Sequence, residues 1–160
     1  MEENKVMNAK EKFIKEEFTP LLKKLSSEQK GSWGKMNAQQ MVEHMSYAFR
    51  VASGKHSEKA QYNEEITQKG YNFIMSEKPF RENTPNKLLS DEPSPLKNAS
   101  MNEAISELQK EIDDFFSVYS ANAGLRTINP FFGNLNWEEQ VQLLHKHAMH
   151  HAKQFGLVVY

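Results

Sequence analysis

The stretch that decides the fold is Asn136-Trp-Glu-Glu-Gln-Val-Gln-Leu-Leu-His-Lys-His-Ala-Met-His-His-Ala-Lys-Gln-Phe-Gly156. It opens with an asparagine three residues before Glu139, a capping-box pattern in which the cap accepts from a free backbone N–H and the later side chain reaches back. Apolar residues then recur at helical spacing, and the final glycine is a typical stop. The stretch therefore predicts an amphipathic helix over about residues 136–155, with the stripe Val141, Leu144, Ala148, Ala152 and Phe155.

Two more capping boxes, Asn37 to Gln40 and Ser100 to Glu103, lead into apolar stripes of the same kind. They predict helices over about residues 37–52 and 100–119, the first ending before Gly54. Three such patterns in one chain make a consistent prediction of a helical protein.

A fourth long helix is predicted near the N-terminus, over about residues 7–25, where Pro20 should either kink the helix or restart it. A shorter helical piece is expected around residues 63–75. The stretch from 79 to 94 is rich in Pro, Asn and Ser and predicts an irregular crossover, and residues 122–134 predict a further loop. No internal repeat or strand-rich region is evident.

These elements predict an all-α fold, a four-helix bundle that occupies residues 1–160 as a single domain. The gap between the second and third long helices is about 45 residues. Up-down bundles use short loops, so a long crossover at this point predicts parallel central helices.

Composition excludes several classes of protein. The formal net charge is −1 and lysines and glutamates are interspersed, whereas a nucleic-acid-binding surface normally shows a basic excess. There is no cysteine, which excludes disulfides and Cys-based zinc sites. Residues 1–13 contain no apolar segment or cleavage site, so no signal peptide is expected, and no apolar run reaches the length needed to span a membrane. A soluble, cytoplasmic protein that contacts neither nucleic acid nor membrane is expected.

Four of the six histidines fall in the stretch His145-Lys-His147-Ala-Met-His150-His151. Residues four apart share a helix face, so His147 and His151 project together, on the side of the apolar stripe. His145 and His150 fall towards its flanks. His44 lies three residues after Met41 and four before Ala48, on the inward face of its own helix.

Two interpretations of these inward histidines are open. A lone inward histidine is commonly a hydrogen-bonded core residue, whereas buried imidazoles without partners are costly to desolvate. Three of them, His44, His147 and His151, favour a metal site with one open position, which is the catalytic pattern. Zinc is the default divalent ion for imidazole ligands, and nickel or iron also suits them. No Asp or Glu shares the inward stripe with these residues, so no general base is predicted.

Four other features carry open alternatives. Trp33 and Trp137 flank helix starts and either wall the site or act as hydrophobic staples. Gln154 follows His151 by three residues and is either a partner of that ligand or a surface residue. Residues 130–133 form a lid edge or an apolar tuck under a loop, and His56 is expected at the surface.

Two stretches resemble the DinB-like superfamily of four-helix proteins. The first is Trp33-Gly-Lys-Met-Asn-Ala-Gln-Gln-Met-Val-Glu-His44-Met45. The second runs from Asn129 through Glu139 and on to His145-Lys-His147-Ala-Met-His150-His151-Ala-Lys-Gln-Phe-Gly156. They are similar in particular to a bacterial branch known as a domain of unknown function, with W-G-K-M-x-x-x-Q-M-x-x-H early and H-x-x-x-H-x-x-Q-F-G late.

This resemblance implies a bundle with a long crossover, often a homodimer, and a metal triad that falls on His44, His147 and His151. Better-studied members of the superfamily transfer low-molecular-weight thiols such as bacillithiol or mycothiol, or isomerise thiol adducts. The leading hypothesis is therefore a metal-dependent thiol transferase or hydrolase acting on a small molecule. The alternatives are a non-catalytic metal-binding or stress-response bundle, and an interaction bundle with core histidines.

Overall fold

Within the part of the chain that the structure describes, five helices and one short hairpin make up the fold. The structure is a computed structural model that describes residues 7–57, 59–82 and 93–158. The helices are α1 (residues 9–22), α2 (Ala38–Ala52), α3 (Glu64–Met75), α4 (Met101–Ala121) and α5 (Trp137–Gln154). Strands β1 (Thr127–Asn129) and β2 (Gly133–Leu135) form an antiparallel pair. Across the described residues, none of these helices combines the length and apolar character needed to cross a membrane.

Helix α1 contains a turn of π-helix in its middle. Its three consecutive parts are Ala9–Lys12, the π turn Phe13–Glu17 and Phe18–Leu22. The amide of Phe18 donates to the carbonyl of Phe13, five residues back. Pro20 has no N–H, so the carbonyl four residues before it loses its helical donor. The disturbance predicted at this proline takes the form of a widened turn, and the helix continues past the proline.

The predicted caps occupy the starts of α2, α4 and α5. In α2 and α5 the cap and the third helical residue exchange two hydrogen bonds of 2.9–3.0 Å. The hydroxyl of Ser100 accepts from the amide of Glu103 at 3.2 Å, but the Glu103 carboxylate accepts from the amide of Ala99 instead. The two complete capping boxes are Asn37 with Gln40 and Asn136 with Glu139.

The apolar stripes of α1, α2, α4 and α5 contribute to one buried cluster. Helix α2 packs along α4, and α5 packs against both α1 and α2. Burial of these side chains removes them from water at about 25 cal/mol per Å² of apolar surface, which is the main stabilising contribution to such a core. Among the fully buried members are Ile14, Phe18, Met41, Met45, Phe49, Leu108, Ile112, Phe115 and Ala148.

The loop predicted over residues 122–134 is in part wrong, because it contains the β1–β2 hairpin. Thr127 pairs with Leu135 and Asn129 with Gly133. The side chain of Asn129 accepts from the amides of Phe131 and Phe132 at 2.9 and 3.2 Å, which closes the turn between the strands. Strands of three residues are too short to show the alternation that identifies a strand in sequence, so the mainly helical fold carries a small sheet that the pattern missed.

Helix α3 confirms the short helical piece predicted around residues 63–75. It packs on α5 and the hairpin through a second, smaller buried cluster of Ile74, Leu135 and Leu143. The chain then runs irregularly through residues 76–82, here called the strap. Of the irregular crossover predicted over 79–94, residues 83–92 lie outside the described residues.

Candidate metal site

Three histidines from two helices converge on one point. The Nε2 atom of His147 lies 3.0 Å from Nε2 of His44 and 2.9 Å from Nε2 of His151. His44 comes from α2, and the other two come from adjacent turns of α5. The structure thus brings together all three residues selected from the sequence, and this group could hold a metal ion.

The spacing of these nitrogens is compatible with a shared ion. Imidazole nitrogens bind zinc at about 2.0–2.1 Å, so two of them on one ion can lie at most about 4.2 Å apart. The nitrogen pairs of His147 with His44 and His151 fall well within that bound. The donor set consists of imidazoles alone, since no carboxylate joins this cluster within the described residues.

Helix periodicity explains how the three side chains reach one another. His147 and His151 are one turn apart on α5 and flank the fully buried Ala148. His44 lies one turn before Ala48 at the edge of the buried face of α2. His151 is 5% exposed, whereas His44 and His147 are partly exposed at the border of the core. His151 is thus the most deeply buried of the three, and His44 and His147 keep some exposed surface.

Burial keeps all three rings in the neutral form at pH 7. Desolvation, followed by the charge of His150, lowers the pKa of His44 to about 4. Desolvation together with the neighbouring histidines holds the pKa of His147 and of His151 well below the ordinary value. Neutral imidazole is the form that binds metal ions, so little proton competition is expected near neutral pH.

Gln154, whose role the sequence left open, contacts the buried ligand directly. Its Oε1 lies 2.7 Å from Nδ1 of His151. Its Nε2 donates to the backbone carbonyl of Trp33 at 2.9 Å. Gln154 is 3% exposed, so the alternative of a surface glutamine is wrong.

The strap lies across α5 beside the site and is attached at three consecutive turns. The ammonium group of Lys146 donates to the carbonyls of Ser76, at 2.8 Å, and Lys78. His150 is hydrogen-bonded to the backbone of Phe80, and Lys153 pairs with Glu82 at 3.9 Å. This attachment fixes the position of the strap over the row of α5 next to the ligand histidines.

Aromatic rings border the site on the strap side. The Phe80 ring lies 6.2 Å from the ring of His147 and 5.9 Å from that of His150, between centroids. Trp33 lies 5.5 Å from His150, the residue next to the ligand His151, between centroids. Phe80 could not be identified from the sequence, because its segment shows no periodicity and its contacts with α5 are long-range.

Other sequence candidates lie elsewhere. Trp137 stacks on Phe115 at 4.9 Å between centroids and packs against the core. His145 packs edge-on against Phe13 at 5.5 Å, and burial lowers its pKa to about 4. His56 is exposed, as predicted.

The segment 130–133 takes the apolar alternative of the two that the sequence left open. Phe132 belongs to the smaller hydrophobic cluster and lies 6.4 Å from the Phe80 ring, between centroids. Glu43 faces away from the ligand nitrogens and accepts from the amides of Lys97 and Asn98 at 2.8 and 2.9 Å. Neither feature supplies a general base to the cluster.

Fold and site together define a mainly helical protein with a three-histidine cluster suited to a metal ion. No protein-family model matches the chain, and no significant match was found among curated proteins or solved structures. The resemblance to the DinB-like superfamily, the homodimer it implies and the cytoplasmic location therefore stay predictions.

Proposed function

We propose that this chain is a metal-dependent enzyme that binds one divalent ion through His44, His147 and His151. The observation that carries the proposal is the convergence of three neutral imidazoles with Nε2 separations of 2.9 and 3.0 Å. Three protein ligands leave an open coordination position, which is the pattern of catalytic sites. Zinc is the default ion for this donor set, with nickel and iron as alternatives.

The chemistry that such an ion supplies is Lewis acidity, which lowers the pKa of a bound thiol or water and so prepares a nucleophile. The chain has no cysteine of its own. In a transferase reaction the sulfur would therefore come from a low-molecular-weight thiol, and the second substrate would be a small electrophile. In a hydrolase reaction water would take the place of the thiol.

The chain's own residues support a site open to a small molecule. His44 and His147 keep some exposed surface, whereas His151 is buried, so a small molecule would approach the ion past His44 and His147. Phe80 and Trp33 border this region and offer ring faces to an apolar part of a substrate. These residues would bind and orient the substrate.

We infer that the mainly helical fold is a four-helix bundle of the DinB-like type, and the packing of the helices supports this. The helices α1, α2, α4 and α5 share one core, and residues 53–100 separate α2 from α4. A long connection at this point is the arrangement that the resemblance implies. The smaller α3 and the strap belong to this connection.

A second candidate is a non-catalytic metal-binding bundle, in which the ion stabilises the fold. Two observations favour it. His151 is buried, and an ion bound by His44 and His147 would link α2 to α5 through residues that are 103 positions apart in sequence. This candidate requires that exogenous thiols have no access to the ion. A cobalt-substituted protein whose absorption spectrum does not change on addition of small thiols would support it over the enzyme.

The experiment that tests the proposal is elemental analysis of the untagged protein with the variants His44→Ala, His147→Ala and His151→Ala. About one zinc, nickel or iron per chain is expected in the wild type and a loss in each variant, with helical circular dichroism largely retained. His56→Ala is the matched control, because His56 is exposed and outside the cluster. Stoichiometric metal in His151→Ala would contradict the assignment.

The catalytic part is tested separately by mixing the metal-loaded protein with a panel of low-molecular-weight thiols and electrophiles. Metal-dependent consumption of a thiol, absent in the metal-free protein and in His44→Ala, is the expected result. Metal binding without turnover of any thiol or hydrolysable ester would favour the non-catalytic candidate.

A further inference from the structure

Gln154 uses its backbone carbonyl and both polar atoms of its side chain in contacts next to the buried ligand His151. Its backbone carbonyl accepts from the amide of Ser32 at 2.7 Å. Its side-chain nitrogen donates to the carbonyl of Trp33, and its side-chain oxygen faces Nδ1 of His151. The loop before α2 and the last turn of α5 are therefore joined through this one residue.

The hydrogen-bond chain determines which way the Gln154 amide points. The backbone carbonyl of Trp33 can only accept, so the group that faces it at 2.9 Å must be the amide nitrogen of Gln154. The amide oxygen is then the group 2.7 Å from Nδ1 of His151, and an oxygen can only accept. A proton must therefore sit on Nδ1 of His151, which in a neutral ring leaves the lone pair on Nε2.

Two glycines make room for this arrangement. A Cβ atom at Gly31 would lie 2.7 Å from Cγ of Gln154 and 3.1 Å from the carbonyl oxygen of Trp33. A Cβ atom at Gly34 would lie 2.8 Å from Nε2 of Gln154, and Gly34 also has a φ of +79°. A side chain at either position would displace the groups that hold His151, so the loop 31–34 fits closely around Gln154.

We propose that Gln154 is a positioning residue of the metal site, which holds His151 as the Nδ1–H tautomer with its Nε2 lone pair directed at the ion. The loop 31–34 keeps Gln154 in place through the Ser32 amide and the Trp33 carbonyl. The inference rests on the proposed metal site and extends it to groups that do not touch the ion. Among the described residues, His151 is the one ligand histidine whose outer ring nitrogen has a protein hydrogen-bond partner.

The tautomer is tested in the metal-free protein by long-range ¹H–¹⁵N NMR of histidine-labelled samples, with His151→Ala used for assignment. The wild type should show His151 protonated at Nδ1. Gln154→Met keeps the side-chain length and removes the acceptor, so the proton should redistribute towards Nε2. Gln154→Glu keeps an acceptor for the Nδ1 proton and should retain the wild-type tautomer, although it loses the donor to the Trp33 carbonyl. His151 protonated at Nε2 in the wild type would overturn the proposal.

Metal affinity is the second readout, measured by competition with a chromophoric chelator. Loss of a hydrogen-bond partner behind a ligand histidine typically weakens metal binding about 10- to 100-fold, and Gln154→Met should fall in that range. Gln109→Met is the matched control, since Gln109 lies on α4 and bonds Thr19 and Asp113. Affinity of Gln154→Met within about twofold of the wild type would contradict the inference.

The loop is tested by Gly31→Ala, which should weaken metal binding by displacing Gln154. Gly124→Ala is its control, because a Cβ atom there meets nothing within 4 Å. Gly31→Ala keeps the test decisive if Gln154→Met fails to fold. Failure of the wild type to take up metal would overturn the proposed function, while the NMR measurement would still decide the tautomer.

Discussion

The hydroxyl of Thr127 connects four elements of the fold, so the effect of its removal on the free energy of unfolding can be predicted. It donates to the carbonyl of Ala52 at the end of α2 at 2.8 Å and contacts the hydroxyl of Tyr119 on α4 at 2.9 Å. It also accepts from the side-chain nitrogen of Gln140 on α5 at 2.8 Å. Gln140 is 1% exposed, and its side-chain oxygen has no partner among the described residues.

The substitution Thr127→Val keeps the shape of the side chain and removes the hydroxyl. The Gln140 amide then loses the partner that the structure shows for it, and a buried polar group without a partner costs about 1–3 kcal/mol. The lost hydrogen bond to Ala52 adds about 1 kcal/mol, although Tyr119 still donates to that carbonyl at 3.0 Å. The free energy of unfolding should therefore fall by about 2–4 kcal/mol.

Chemical denaturation of three variants checks this reasoning. Thr127→Ser keeps the hydroxyl and should lose no more than about 1 kcal/mol. Adding Gln140→Leu to Thr127→Val should recover most of the loss, because replacing both partners of a buried hydrogen bond by apolar groups is nearly neutral. A double variant as unstable as Thr127→Val, or a Thr127→Val that loses less than about 0.5 kcal/mol, would refute it.

Three further predictions concern the site, a helix cap and the strap. In metal-free protein the free energy of unfolding should fall as the pH drops from 6.5 to about 4. The reason is that the pKa of His44 is about 4 in the folded state and 6.5 in the unfolded chain, so over this range the unfolded chain binds the proton more readily. His44→Gln should flatten that curve by about 3 kcal/mol in denaturation series with chelator, and an unchanged slope would contradict it. Asn136→Ala should lose about 1 kcal/mol by thermal unfolding, against less than about 0.5 for the exposed Asn102→Ala. Lys146→Met should accelerate hydrogen exchange at the hydrogen-bonded amides of Ser76 and Lys78 by about tenfold or more, and unchanged protection would show that other contacts hold the strap.

Local patterns predicted the helices because the groups that define them are close in sequence. Asn37 and Asn136 reach amides only three residues away, so their caps could be identified without tertiary information. The same periodicity placed His147 and His151 on one face. Periodicity alone could not show that His44 meets this pair, because that depends on which helices pack together. The resemblance to a known family pointed to the same three residues.

The features that the sequence missed depend on long-range or backbone contacts. Lys146 binds carbonyls about 70 residues earlier, and carbonyls are present in every residue and leave no pattern. The spacing of Gln154 from His151 suggested a contact, but the partner that fixes its amide is the backbone of Trp33. Pro20 predicted a disturbance of helix α1, but nothing in the sequence indicated that it would take the form of a π turn.

The distance in sequence between His44 and the pair on α5 affects how an ion would influence folding. In an unfolded chain His147 and His151 are still four residues apart and can share an ion weakly. Bringing in His44 means closing a loop of 103 residues, for which the length-dependent part of the chain entropy amounts to about 4 kcal/mol. In the folded protein His44 already lies beside the pair, so an ion would gain its third ligand only in the folded state. Because the pair retains some affinity in the unfolded chain, the rise in stability on adding metal should be smaller than the native-state affinity alone implies.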